Sequence, residues 1–264
     1  MNRILASRWT TLAVFLLGLV PAANVAWGLS RTLRGEFVGA LSANPIEYVT
    51  HFTGDWTIRF LLITLAVTPL RNLLHRPQIT RFRRMLGLFA FFYGFLHLMT
   101  WVWLDRFFAP EGIWTGMWQD IAKRPYITVG MLGFLMMLPL ALTSTNGWVR
   151  RLTWKRWRKL HRLVYLVPVA GVVHFWWLVK SDVSMPQLYA AILAVLLLYR
   201  MFLWTRAPKP ATRPLPPAMD AAEVQLIKLG PGAIEAVVRG LSQPRVHRLQ
   251  RVALHHEVEP VAEP

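Results

Sequence analysis

The chain has 264 residues, 55% of them hydrophobic and 16% charged, with a formal net charge of +17. Average soluble domains carry about a quarter charged residues, and intrinsic disorder needs low hydrophobicity, so most of the chain is neither. It has no Cys, which excludes disulfides, zinc–thiolate sites, thiolate-held iron–sulfur clusters and cysteine nucleophiles.

The positive charge falls in bursts between apolar runs, a pattern that points to a membrane rather than to nucleic acid. A bilayer-crossing helix needs about 20 mostly apolar residues. Six segments meet that need in chain order: 9–29, 55–74 with Arg59 near its start, 85–104, 126–145, 160–179 and 186–204. Their apolar residues are continuous rather than alternating, so helices and not barrel strands are expected. Residues 9–29, with Arg3 and Arg8 before them and Ala22 and Ala23 inside, also resemble a signal peptide. The run is long for that, and no clean small-x-small site follows it.

Charge sets the orientation. Arg3, Arg8, Arg71, Arg76, Arg81, Arg83, Arg84 and the cluster Arg150, Arg151, Lys155, Arg156, Arg158, Lys159 and Arg162 fall on one side, with Arg200 ending the sixth segment there. Glu36, Glu47, Asp55, Asp105, Glu111, Asp120 and Asp182 fall on the other. Cationic loops stay in the cytoplasm. The expected fold is therefore all-α: a polytopic six-helix transmembrane bundle over residues 1–205 with both termini cytoplasmic.

Residues 206–264 differ. The stretch 207–218 is Pro-rich and reads as a stiff linker, while 223–241 suits a small amphipathic or β-rich piece. His255, His256, Glu257 and Glu259 form a weak metal-ligand pattern that a solvated tail explains better, and His247 lies nearby. Gly230-Pro231-Gly232 signals a turn. This tail is too short for a flavin-plus-nicotinamide reductase domain.

Ionisable residues inside a bilayer are costly and usually functional. His97 lies about 18 Å along the third segment from its inner end, and His174 about 21 Å along the fifth. Imidazoles at matching depth on two helices suit the two axial positions of one haem iron, as bundle cofactor sites do. With both positions filled, electron transfer is favoured over oxygen chemistry. Either His alone also suits a helix–helix hydrogen bond. His161 lies thirteen residues before His174, roughly 20 Å lower. That spacing suits a second haem. The residue at its depth on the third segment is near Arg84, not a His, and the two rings face differently unless Pro168 bends the helix. A propionate, a flavin phosphate or a quinone are alternative partners for His161. The connection 148–162 interleaves Trp148, Leu152, Trp154, Trp157 and Leu160 with cations, as an interfacial helix on anionic lipid does. The same chemistry suits a phosphate-bearing flavin.

An ordered set of short motifs spans residues 1–205: His51-Phe52-Thr53-Gly54, Thr68-Pro69-Leu70, Arg83-Arg84-Met85-Leu86-Gly87-Leu88, Leu96-His97-Leu98, Arg124-Pro125-Tyr126, Thr143-Ser144-Thr145, Leu160-His161 with Val164-Tyr165-Leu166, and His174 with Trp177. Together they resemble the MsrQ (YedZ) family, haem-binding membrane subunits of the bacterial periplasmic protein-methionine-sulfoxide reductase system, within the wider ferric-reductase-like transmembrane group. The resemblance implies an inner-membrane electron-transfer subunit carrying haem b and FMN. It implies electrons taken from the quinone pool or a cytosolic flavin reductase and passed to a periplasmic molybdenum-containing subunit. That partner, not this chain, would hold the catalytic centre that reduces methionine sulfoxide in envelope proteins. By position, His97, His161 and His174 match the family's functional histidines; no residue here is matched to FMN. Two other readings are a ferric-reductase-like oxidoreductase with a different partner and a haem-free six-helix transporter or scaffold. A transporter would more often show inverted repeats, and none is evident. Nucleic acid is not an expected partner, because the cations lie at membrane boundaries.

Overall fold

The computed structural model describes residues 7–36, 41–105 and 112–206. The tail features expected within 206–264, including His247, His255 and His256, lie almost wholly outside them, as do Arg3 and Glu111. The described residues are helical, with no strand among them.

Helix α1 is Arg8–Leu33, capped by the Ser7 side chain. Helix α2, Pro45–Leu73, has Pro at its start and Asn44 accepting from the Glu47 N–H. Both are standard N-terminal devices. A 3-10 turn, Pro77–Arg81, leads into α3, Phe82–Met99, which runs on as a π-helical segment, Thr100–Asp105. A short amphipathic α4, Ile113–Lys123, precedes α5, Pro125–Leu142. Helix α6 is Asn146–Leu160, interrupted at Thr153, whose φ of 62° is left-handed. A 3-10 stretch, His161–Tyr165, then opens α7, Leu166–Leu178, and α8 is Ser184–Arg206.

Among the described residues four helices are long and apolar enough to cross a membrane: Arg8–Leu33, Pro77–Trp103, Pro125–Leu142 and Ser184–Arg206. They correspond to the first, third, fourth and sixth expected segments. The other two differ, each for a physical reason. Helix α2 begins ten residues before the expected 55–74 and carries Glu47, Asp55, Arg59 and Arg71, which lower its apolarity. It is also the most interior helix, burying Phe60, Leu61, Leu62, Leu65 and Val67. A helix walled in by protein needs less lipid-compatible surface. The expected fifth segment is not one α-helix; a 3-10 turn occupies its first five residues. Pro168 explains the change of winding. It has no N–H to donate back into the preceding turn and is best tolerated near a helix start, which is where α7 places it.

The core has two parts, and α2 feeds both. Phe60, Leu61, Phe89, Ala90, Tyr93, Met137 and Val167 form one, and Ile58, Leu62, Leu65, Val172, Tyr189 and Leu193 the other. Tyr93 is fully buried. Its hydroxyl donates to Gly18 O at 2.7 Å and accepts from Ala22 N–H at 3.1 Å, bridging the two groups that a regular α-helix bonds to each other. This bridge stands beside Pro21 and fastens α1 to α3. Large apolar side chains stay outside: Leu16, Leu17 and Val20 on α1, and Leu188, Val195 and Leu198 on α8. So many exposed apolar groups suit a lipid surround. Helices α2 and α5 each pack on both α3 and α7, and that frame holds the histidine-bearing helices.

Candidate functional site

His97 sits near the end of α3 and His174 near the end of α7. The structure brings them together. Their ring centroids are 6.0 Å apart and their planes are nearly perpendicular, at 78°. Each imidazole is fixed from behind in the same way. His97 Nδ1 lies 2.8 Å from the Thr50 carbonyl oxygen on α2, and His174 Nδ1 lies 2.6 Å from the Tyr126 carbonyl oxygen on α5. A carbonyl only accepts, so both Nδ1 atoms carry the proton and both Nε2 atoms present a lone pair. Metal-ligating histidines are oriented by this outer hydrogen bond.

The repetition goes further. Four residues after each carbonyl stands a glycine, and each ring rests on it. A Cβ at Gly54 would lie 3.1 Å from His97 Nδ1 and Cε1, and a Cβ at Gly130 only 2.6 Å from His174 Nδ1. Two helices thus each offer a carbonyl and, one turn on, a bare backbone face as a seat for an imidazole. Thr50 adds a stitch: its hydroxyl lies 3.1 Å from Thr100 Oγ1, and Thr100 Oγ1 donates to His97 O at 2.8 Å. Thr100 begins the π-helical segment, a winding that often marks functional sites.

Two imidazoles at this separation could share one metal. Two metal–nitrogen bonds of about 2 Å, extended to the ring centres, span about the separation found. The neighbourhood also holds an unmet donor. Trp101, one turn beyond His97, buries its indole N–H without a partner, as a guest with acceptor oxygens would require. Among the described residues no cluster of three or more His, Cys, Asp or Glu side chains could hold a bare metal ion. Two imidazoles alone suit a macrocycle that brings its own equatorial ligands.

His161 is not part of this pair. It lies at the opposite end of α7, stacked on Trp157 with centroids 3.9 Å apart. Its Nε2 is 3.1 Å from Thr143 Oγ1. That hydroxyl gives its one proton to Pro139 O at 2.6 Å, so it accepts from His161, which therefore carries its proton on Nε2. The tautomer is opposite to that of the other two histidines. The Trp157 indole N–H donates to Thr143 O at 2.9 Å, closing a knot of α5, α6 and the 3-10 turn. Arg84, the residue of α3 at the expected depth of His161, donates to Asn146 Oδ1 at 2.9 Å. Arg59 ties α2 to α8 through Tyr189 Oη at 2.9 Å and pairs with Asp55 at 3.4 Å, as an anchor of its helix would.

The seats at Gly54 and Gly130 and the two carbonyl acceptors had no separate sequence signal. Gly54 and Tyr126 each stand in a quoted motif, but nothing in one sequence joins them to histidines more than forty residues away.

Residues 53–172 match the family described as ferric reductase like transmembrane component. The protein-methionine-sulfoxide reductase heme-binding subunit MsrQ of Xanthomonas campestris pv. campestris (strain 8004) is 47% identical over 211 residues, covering 76% of this chain and 93% of that protein. Its counterpart in Herminiimonas arsenicoxydans is 51% identical over 199 residues, covering 74% and 86%. That of Xanthomonas euvesicatoria pv. vesicatoria (strain 85-10) is 49% identical over 189 residues, covering 72% and 84%.

Proposed function

This chain belongs to the MsrQ family of protein-methionine-sulfoxide reductase heme-binding subunits, and on that premise we propose that it is a haem b electron-transfer subunit of the bacterial inner membrane. It crosses six times with both termini in the cytoplasm, α2 and the 3-10 turn with α7 supplying the two spans that fall short in apolarity or helical length. His97 and His174 would hold one haem b between them. Thr50 and Tyr126 fix the tautomer of each ring through backbone carbonyls, and Gly54 and Gly130 set the rings' depth. When bound, the haem supplies a one-electron carrier. The tuning available to this chain is the basicity that the carbonyl bonds give each imidazole.

The electrons come from the quinone pool or a cytosolic flavin reductase and go to a periplasmic molybdenum-containing subunit that repairs methionine sulfoxide. FMN, implied by the family, is proposed as a second cofactor. For His161 the proposal is a second haem at the inner end of α7. That role requires it to exchange its Thr143 hydrogen bond for iron. Residues 206–264 form a separate cytoplasmic tail. The observation that carries the reading is the convergence of His97 and His174 on matched supports.

The test is pyridine-haem and flavin analysis of the purified full-length protein and of His97→Ala, His174→Ala and His161→Ala. A b-type spectrum lost in the first two variants supports the reading. Two haems per chain, falling to one in His161→Ala, support the second site. A colourless protein from haem-replete cells, or full haem content in His97→Ala, ends it.

A further inference from the structure

At the end of the bundle opposite the histidine pair, four elements meet around one hydroxyl, and three of them bring cations. Arg83, in the first turn of α3, donates Nη2–H to Thr68 Oγ1 at 2.6 Å. Arg200, near the end of α8, donates Nη2–H to the same oxygen at 2.6 Å. Arg200 also donates Nη1–H to Tyr165 Oη at 2.5 Å, with its guanidinium carbon 5.2 Å from the centre of that ring. Arg71, held by Asn72 Oδ1, adds a third positive charge within electrostatic reach of Arg83. The Nε atoms of both Arg83 and Arg200 are buried and have no hydrogen-bond partner.

Among the described residues no carboxylate pairs with Arg83 or Arg200, and Glu36, Glu47, Asp55, Asp120 and Asp182 all stand toward the other end of their helices and loops. Buried charges are normally paired or fully hydrogen-bonded, and an unmet guanidinium donor costs free energy. Two guanidiniums sharing one neutral oxygen, each with a spare donor, form an incomplete site.

We propose that Arg83, Arg200, Thr68 and Tyr165 form a binding site for a phosphate group at the cytoplasmic end of the bundle. The planar guanidinium fork matches phosphate oxygens. A phosphate monoester carries about −1.5 to −2 charge at pH 7, which offsets two arginines; a lipid phosphodiester offsets less. The site lies about 21 Å along α3 from His97 at the helical rise, so it is distinct from the histidine pair and does not rest on the haem reading.

The experiment uses the full-length protein in detergent. Thermal midpoints are read by tryptophan fluorescence with inorganic phosphate, FMN, riboflavin, and phosphatidylglycerol beside diacylglycerol, against chloride and acetate at equal ionic strength. Inorganic phosphate is expected to raise the midpoint and to compete with FMN. FMN is expected to bind about tenfold or more tightly than riboflavin, the worth of one charge-assisted bond or more. A response to phosphatidylglycerol without one to FMN or phosphate assigns the phosphate to lipid; a response to FMN and phosphate assigns it to a soluble monoester. Arg83→Gln and Arg200→Gln are expected to abolish the response, and the exposed Arg84→Gln to keep it. Should the first two fail to fold, competition of inorganic phosphate against FMN on the unmodified protein decides alone. No shift with any phosphate probe beyond the chloride and acetate controls, riboflavin binding as tightly as FMN where FMN binds, or an unchanged response in both Gln variants overturns the proposal.

Discussion

Replacing Gly130 by Ala tests the seat of His174 without touching a ligand. The new Cβ would lie 2.6 Å from Nδ1, 2.9 Å from Cε1 and 3.1 Å from Cγ of His174, where ordinary contact begins at 3.4 Å. The ring must retreat from α5 by about 1 Å, and with it the 2.6 Å bond to the Tyr126 carbonyl stretches toward lengths at which hydrogen bonds fail. Overpacking costs about 1–3 kcal/mol and the lost bond about 0.5–1.5 kcal/mol, while Ala for Gly in a helix returns about 1 kcal/mol. Net destabilisation is about 0.5–3.5 kcal/mol. Haem affinity should fall about 10–100-fold, the usual effect of losing a ligand's outer support. Gly54→Ala is the internal control. Its Cβ would stand 3.1 Å from His97, so a shift of a few tenths of an ångström suffices, and the helix gain of about 1 kcal/mol offsets it. Haem retention against apomyoglobin competition, read as Soret absorbance per protein, together with the thermal midpoint, ranks the two variants. Wild-type haem affinity in Gly130→Ala, or a larger loss in Gly54→Ala, refutes the reasoning.

The acceptors behind both rings are main-chain carbonyls, so Thr50→Val and Tyr126→Phe should keep the b-type spectrum; haem loss in either would mean that a side chain carries the support. Tyr93→Phe leaves Gly18 O and Ala22 N–H without their bridge, and should lower stability by about 1–3 kcal/mol in a thermal or denaturant melt while sparing haem content. The natural absence of Cys permits single-cysteine mapping with an impermeant thiol reagent. Ser42→Cys and Ser184→Cys should label in intact spheroplasts, and Asn146→Cys only after the membrane is opened; the reverse pattern would invert the proposed orientation.

Much of the fold was legible in the sequence because lipid imposes one rule on every residue of a span. Helices α1, α3, α5 and α8 lie where apolar length put them. The rule fails where a helix is surrounded by protein. Asp55 and Arg59 made the start of α2 look like a boundary, whereas Arg59 is held inside by Tyr189. It also fails where winding changes, as before Pro168, since hydropathy does not distinguish a 3-10 turn from an α-helix. The meeting of His97 with His174 was readable as equal depth, because rise per residue is fixed. Their supports were not: a carbonyl four residues before a glycine is unremarkable until a ring is seen resting on it. The arginines around Thr68 were each visible as inside charges, but positive-inside counting gives a cation's side and not its depth. Three helices and one turn had to be assembled before Arg83 and Arg200 could be found on one oxygen.

Electron paramagnetic resonance of the ferric, full-length protein addresses the histidine pair most directly. Two imidazoles with planes 78° apart on one iron predict a low-spin signal with the strong anisotropy of near-perpendicular ligands, lost together with the haem when His174 is replaced by Ala. A high-spin signal in the unmodified protein, or a low-spin signal that survives His174→Ala unchanged, would contradict the account.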